Sequence, residues 1–240
     1  MQSGILLSGA DADFMIHGIF SYQLFGHTFW ITTSHVSILL ISLGLVILAV
    51  LTRSKLKPAD EVPGTLQSVM EMAVEFVDNL AATNLRGRAP VYRNYMATIF
   101  MFILISNISG LVGLRPPTAD YGTTFALGLI TFCLIQYNNL KYNKFHAFTD
   151  LFKPIPLLFP INLIGEFATP LSLSLRLFGN VVSGTVIMAL LYGLLPTAAT
   201  CWGLPGVLHI YFDLFAGVIQ TYVFCMLTMV FIGDKLPDEV

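Results

Sequence analysis

Five apolar runs follow one another along the chain, separated by shorter polar segments. They cover about 36–52, 94–114, 122–138, 160–195 and 206–232. A helix of about 20 apolar residues spans the hydrocarbon core of a bilayer, and each run approaches or exceeds that length. Prolines break the chain between several of the runs, which favours separate helices joined by turns. The pattern therefore predicts five transmembrane helices.

Residues 63–85, between the first two runs, show a different pattern. Apolar residues recur there at spacings of three and four, and these are Leu66, Val69, Met70, Ala73, Val74, Val77 and Leu80. Glu71, Glu75 and Asp78 occupy the other side of the same helix. The pattern predicts an amphipathic helix that lies at the membrane surface or against a partner, because it carries too much charge to span. Residues 1–240 are thus interpreted as one all-α integral membrane domain.

Composition excludes several classes of protein. The chain has 55% hydrophobic and only 11% charged residues, whereas a soluble domain carries about 25% charged residues. Too few charges remain to cover a water-facing surface, which argues against a soluble enzyme and against a disordered chain. The net charge of −2 provides no basic surface for nucleic acid, and no motif indicates a cofactor or a metal. We therefore expect no bound nucleic acid, cofactor or metal.

Basic residues indicate the orientation in the membrane. Ten of the twelve fall on one side of a five-span topology, and they are Arg53, Lys55, Lys57, Arg86, Arg88, Arg93, Lys141, Lys144, Lys153 and Lys235. Arg115 falls on the other side, and Arg176 lies within the fourth run. Since cytoplasmic loops carry an excess of Lys and Arg, we expect an external N-terminus and a cytoplasmic C-terminus.

Arg176 is the most informative residue, because a charge at the centre of a bilayer costs about 2.5–3.5 kcal/mol on insertion scales. It belongs to a polar seam spaced by three, four, four and three residues, made of Thr169, Ser172, Arg176, Asn180 and Ser183. Glu166 extends this seam by one turn. The alternative is an arginine near a helix end that extends to the interface, although about fifteen largely apolar residues flank it on each side.

The last run carries a matching stripe of His209, Asp213, Gly217 and Gln220, spaced by four, four and three residues. A carboxylate and an imidazole both exchange protons in a hydrated cleft, and an amide both donates and accepts hydrogen bonds. These residue types predict an ion pathway between the last two helices. For His209, an ordinary interfacial position near the start of the helix is the alternative.

Several of these segments resemble subunit a of F-type ATP synthases. The resemblance rests on PINLIGE at 160–166 and PLSLSLRLFGN at 170–180, with SNISG at 106–110 and QTYVF at 220–224. It implies a bacterial plasma-membrane subunit, itself non-catalytic, whose last two helices face a c-ring. Two half-channels would couple H⁺ or Na⁺ flow to ring rotation and ATP synthesis, with the b-subunit peripheral stalk and the remaining synthase subunits as further partners.

The same resemblance assigns roles to particular residues. Arg176 matches the essential arginine of the family, Asn180 and Gln220 match its assisting amides, and Glu166 matches its cytoplasmic-side carboxylate. Two positions depart from the family pattern. Thr185 stands where many members have glutamate, and Asp213 stands where some have histidine.

We therefore expect Asp213 to be the titratable group of the outer half-channel and Thr185 to be its neighbour. A channel or secondary transporter that acts alone is the alternative function. The residues leave the choice between H⁺ and Na⁺ open.

Overall fold

The computed structural model describes residues 18–24, 27–57, 62–85, 87–112, 114–143, 156–194 and 204–237. Arg86, Lys144 and Lys153, three of the basic residues counted above, lie outside these ranges. A β-hairpin comes first, in which β1 (Gly18–Leu24) pairs antiparallel with β2 (His27–Thr32). The sequence analysis assigned no element to this segment. Helices make up most of the remainder.

Within the described ranges, seven α-helices follow the hairpin: α1 (Thr33–Ser54), α2 (Thr65–Asn84), α3 (Ala89–Ile108), α4 (Tyr121–Asn138), α5 (Phe159–Leu194), α6 (Leu204–His209) and α7 (Ala216–Gly233). A π-helical segment (Ile210–Phe215) joins α6 to α7 without interruption. We refer to residues 204–233 as the final helix. Two short 3₁₀ turns (Ser109–Val112 and Pro117–Ala119) connect α3 to α4.

Four helical segments within the described ranges are long and apolar enough to cross a membrane. They are Thr33–Ser54, Ala89–Val112, Phe159–Gly193 and Gly206–Gly233. The all-α membrane fold is thereby confirmed, with the hairpin as an addition. The expected span at 122–138 coincides with α4, which has 18 residues and ends in the polar sequence QYN. A transmembrane role for α4 stays a prediction.

Local sequence explains where several helices begin. Pro90 lies in the first turn of α3, where its missing N–H costs no hydrogen bond. The carboxylate of Asp120 caps α4 by accepting a hydrogen bond of 3.0 Å from the backbone N–H of Gly122. Gly87, between α2 and α3, has a φ of 75°, a left-handed conformation that glycine adopts without strain.

The core lies where α3, α5 and α7 meet. Met96, Ile103, Leu177, Phe224 and Met229 are buried there almost completely. A Cβ on Gly128 of α4 would lie only 2.8 Å from the carbonyl oxygen of Pro170 on α5. Such close approach at small residues is typical of helix packing in membranes.

The amphipathic helix predicted at 63–85 is present as α2, but its apolar stripe is only partly buried. Val77 packs into the core, and Leu66, Met70, Ala73 and Leu80 are half-buried. Val69 and Val74, however, remain 58% and 40% exposed. α2 contacts α3 and α7 along a narrow strip, which leaves the rest of its apolar side free for lipid or for a partner.

The two ends of the helix bundle differ in charge. At one end, the guanidinium of Arg88 donates to the Tyr142 hydroxyl, which joins the start of α3 to the end of α4. Lys235, just beyond α7, pairs with Glu166 near the start of α5 at this same end. Arg115 follows α3 and therefore lies at the opposite end.

Candidate ion pathway

α5 has a buried face and a polar face. Its buried side packs on α4 and α7 and consists of Pro170, Leu173, Ser174, Leu177 and Met188. Ser172, Arg176 and Ser183 of the polar seam are exposed, while Thr169 and Asn180 are half-buried. The seam predicted from the spacing is thus a continuous strip on the outer surface of the bundle.

Arg176 lines a cavity of about 230 Å³ between α5 and α7. Thr169 and Ser172 contribute polar groups to its wall, and Leu227 and Phe231 close it on the α7 side. Among the residues that the structure describes, Arg176 has no hydrogen-bond or ion-pair partner. Because an arginine does not lose its charge in proteins, this position calls for water or a carboxylate from outside the chain.

Arg176 and Gln220 lie at similar depth on the two antiparallel helices. Gly184 of α5 lies against Phe212, with a Cβ at Gly184 placed 3.6 Å from the Cβ of Phe212. Arg176 comes eight residues before Gly184 and Gln220 eight residues after Phe212. The Gln220 side chain is buried, and its amide nitrogen has no hydrogen-bond partner among the described residues. A buried N–H donor without a partner favours an acceptor there, such as the oxygen of a water or of a carboxylate.

At the same end of the bundle as Arg115, Asp213 belongs to a chain of hydrogen bonds. Nδ1 of His209 lies 2.7 Å from Oδ2 of Asp213, and Nε2 of His209 lies 3.0 Å from the Tyr192 hydroxyl. A carboxylate accepts from Nδ1–H, so Nε2 of a neutral imidazole accepts from the tyrosine. The side-chain exposure falls from 33% at His209 to 17% at Asp213. Gly110 of the first 3₁₀ turn packs against the carboxylate, whose Cγ would lie at an ordinary contact distance of 3.4 Å from a Cβ at that position.

Thr185 lies elsewhere around α5. Its hydroxyl donates 2.8 Å to the carbonyl oxygen of Val182, and it lines a cavity of about 390 Å³ together with Arg115 and Asp120. No hydrogen bond in the described structure joins Thr185 to Asp213. The expectation that these two residues are neighbours in one channel stays a prediction.

At the opposite end of the bundle, Glu166 is held on both oxygens. The amide of Gln136 on α4 donates 2.6 Å to Oε2, and the ammonium of Lys235 lies 2.8 Å from Oε1. Both Glu166 and Lys235 are about one quarter exposed. α4, α5 and the turn after α7 therefore meet at this carboxylate.

A buried polar network near the Asp213 end of the bundle was not predicted from the sequence. The amide of Asn107 donates to the carbonyl oxygen of Gly217 and to the Thr221 hydroxyl, at 3.1 and 3.2 Å. Its oxygen accepts 2.8 Å from the Thr118 hydroxyl. Asn107 lies in the SNISG motif and Thr221 beside the polar stripe, so both positions were visible. Their contact was not, because they are separated by more than a hundred residues.

Comparison with known proteins identifies the family. The family described as ATP synthase A chain matches residues 33–233. The chain belongs to this family. Its relatives include the sodium ion specific ATP synthase subunit a of Propionigenium modestum, 41% identical over 76% of this chain and 67% of that protein. ATP synthase subunit a of Bacillus velezensis is 32% identical over 94% of this chain and all of that protein.

Membership in the ATP synthase A chain family fits the spanning helices and the polar strip. The chain is a multi-pass membrane subunit of the ion-translocating sector of a bacterial ATP synthase. ATP synthase subunit a of Bacillus subtilis is 30% identical over 94% of this chain and all of that protein.

Proposed function

We propose that the chain is the non-catalytic stator that carries ions past a ring of c subunits through two half-channels. The b subunits of a peripheral stalk and the other synthase subunits would hold it against rotation. The observation that carries this proposal is Arg176, an exposed cation in the middle of a 36-residue apolar helix, without a partner in the described structure. A carboxylate passing on a neighbouring ring supplies the missing partner.

The outer half-channel is proposed to run past His209, Asp213 and Gln220. An ion that arrives there neutralises a carboxylate of the ring. A neutral carboxyl faces lipid at low cost whereas a carboxylate does not, so rotation proceeds in the direction that keeps charged sites beside the stator. Each ion driven by 100 mV contributes about 2.3 kcal/mol, so several ions are needed for each ATP.

Arg176 is proposed to have two effects. Its positive charge attracts the emptied carboxylate and favours the ionised form. It also prevents a direct leak, because a fixed cation between the half-channels repels other cations. The released ion would then leave past Ser172 and Glu166, on the inner side. Asn180, half-buried one turn beyond Arg176, is proposed to orient the guanidinium or its water.

Replacement of Arg176 tests the proposal. Arg176→Ala is expected to abolish ion-driven ATP synthesis in inverted vesicles while the catalytic head still hydrolyses ATP. Arg176→Lys is also expected to fail, because lysine lacks the planar fork of donors. Arg93→Lys is a matched control, since Arg93 pairs with Asp78 on an exposed surface. Coupled synthesis above about one tenth of wild type in either Arg176 variant, a loss below 1.4 kcal/mol, would contradict the proposal.

The orientation is proposed to be external for the N-terminus and cytoplasmic for the C-terminus. It is supported by the basic residues at one end of the bundle and Arg115 at the other. Single cysteines at positions 55, 141 and 115, on a cysteine-free background, can be labelled in intact cells with an impermeant reagent. We expect labelling at position 115 alone. Labelling at positions 55 and 141, without labelling at 115, would show the opposite orientation.

A tagged chain purified in mild detergent is expected to retain the c-ring and the b subunits. Recovery of the chain as an oligomer of itself, without a c-ring, would instead favour an independent channel or transporter.

A further inference from the structure

The segment after α7 places a lysine at the inner end of the ion pathway. Lys235 lies in a turn, where its backbone N–H donates 3.1 Å to the carbonyl oxygen of Ile232. The next residue, Leu236, is only 3% exposed and anchors this turn in the core. The backbone that carries Lys235 is therefore tied to the bundle.

Glu166 and Lys235 lie close in sequence to two residues that line the cavity containing Arg176. Gly165 and Phe231 line that cavity on its inner side. Glu166 is the neighbour of Gly165, and Lys235 follows Phe231 by four residues, so their ion pair of 2.8 Å comes directly after the cavity wall. Gln136 occupies the second carboxylate oxygen. The exposed Asp234 is adjacent in sequence, but Glu166 is the carboxylate that Lys235 contacts.

We propose that Lys235 is a counter-charge at the inner end of the ion pathway, held there by Glu166. This inference rests on the proposed function. A carboxylate alone at this point would attract and retain the cation that has to leave. Lys235 pairs with one oxygen of Glu166 and Gln136 donates to the other. The ion pair at the mouth of the pathway therefore has no net charge, and the leaving cation meets fewer free acceptor sites. Lys235 thus acts through Glu166, as a positioning residue that neutralises the exit.

Charged thiol reagents test this inference directly. Ser172 lines the cavity and lies six residues, about 9 Å, from Glu166 along α5. In inverted vesicles that contain the whole synthase, Ser172→Cys is introduced after Cys133, Cys201 and Cys225 are replaced by alanine. Reaction rates are then measured with a cationic, an anionic and a neutral methanethiosulfonate.

Lys235→Gln is expected to speed the cationic reagent and slow the anionic one by about twofold each at low salt. Their rate ratio therefore changes about fourfold, the effect of one unit charge at roughly 10 Å in water. The neutral reagent should react at an unchanged rate, which separates a charge effect from a structural opening. The change in ratio should disappear at about 1 M salt, where the Debye length is about 3 Å.

Three further variants complete the test. Lys235→Arg retains the charge and should keep the original ratio. Lys141→Gln removes a charge at the same end and should also leave the ratio unchanged. In the described part of the chain, the Lys141 ammonium lies over the rings of Tyr137 and Tyr142. In a Glu166→Gln background, Lys235→Gln should have little effect, because the ammonium is no longer held at the mouth.

Several results would overturn the inference. These are a ratio changed by less than about 1.5-fold in Lys235→Gln, an equal change in Lys141→Gln, or equal acceleration of all three reagents. Each of them leaves the Arg176 experiment untouched, since the reagents report on charge at the mouth whether or not the subunit couples. Failure of the proposed function appears instead as coupled synthesis without Arg176.

Discussion

Replacing Asn107 by alanine tests how the part of the final helix near Gly217 is held in place. This side chain makes three hydrogen bonds: its amide donates to the carbonyl oxygen of Gly217 and to the Thr221 hydroxyl, and its oxygen accepts from the Thr118 hydroxyl. Both hydroxyl-bearing residues are fully buried. An interhelical hydrogen bond in a membrane protein contributes about 0.6 kcal/mol on average, so three contribute about 2 kcal/mol.

Alanine also leaves a small cavity and an unpaired Thr118 hydroxyl. Thr221 is affected less, because its hydroxyl still donates 2.8 Å to the carbonyl oxygen of Gly217. Together these losses predict that Asn107→Ala lowers the free energy of unfolding by about 2–4 kcal/mol. The largest local effect should fall on the residues just before Gly217, the π-helical segment that carries Asp213.

The measurement is equilibrium unfolding of the purified chain in mixed micelles with increasing SDS, followed by circular dichroism. Asn79→Ala, an exposed position on α2, is the matched control and should change stability by less than about 0.5 kcal/mol. Thr118→Val should destabilise the wild type but not the Asn107→Ala variant, a coupling of about 1 kcal/mol. A stability loss equal to that of the control, or no coupling to Thr118, would refute the network as the anchor of this helix.

Two other predictions follow from close packing and from the outer carboxylate. Gly128→Ala should destabilise the chain by about 1–3 kcal/mol, because its Cβ would lie 2.8 Å from the carbonyl oxygen of Pro170. Gly44→Ala is the control and should be neutral or stabilising in the same assay, because a Cβ at Gly44 would have nothing within 4 Å. Equal effects of the two substitutions would contradict the prediction. Asp213→Asn should slow ion uptake from the outside severely in a vesicle flux assay, and Thr185→Glu added to it should restore part of the flux. Normal pumping by Asp213→Asn at several pH values would make Asp213 only structural.

Sequence patterns predicted the helices that depend on local signals. The spans follow from apolar length, and the polar strip on α5 follows from spacings of three and four, since a regular helix brings such residues to one side. Arg176 stood out because a charge within an apolar run is costly wherever the helix packs. These inferences need no knowledge of which helix lies beside which.

Contacts between distant segments were not predictable in the same way. Lys235 was counted only as one basic residue among ten, because nothing in its own neighbourhood points to Glu166, 69 residues earlier. Gln136 lies in the last turn of α4 and is separated from Glu166 by 30 residues. For α2, the periodic pattern predicted the helix. It could not predict which apolar residues are buried, because burial depends on the narrow contact with α3 and α7.

The position of Asp213 depends on a departure from regular helix geometry. Spacing by four placed His209 and Asp213 on one side under the assumption of an uninterrupted α-helix, yet Asp213 lies in a π-helical segment. Such segments occur often at functional sites, because one extra residue turns a side chain without ending the helix. Here the carboxylate of Asp213 lies against Gly110, in the 3₁₀ turn that follows α3. Because a Cβ at Gly110 would lie 3.4 Å from the carboxylate carbon, an ordinary contact distance, it is the extra residue of the π-helical segment that sets the direction of this partly buried acid, and the local sequence alone does not reveal that segment.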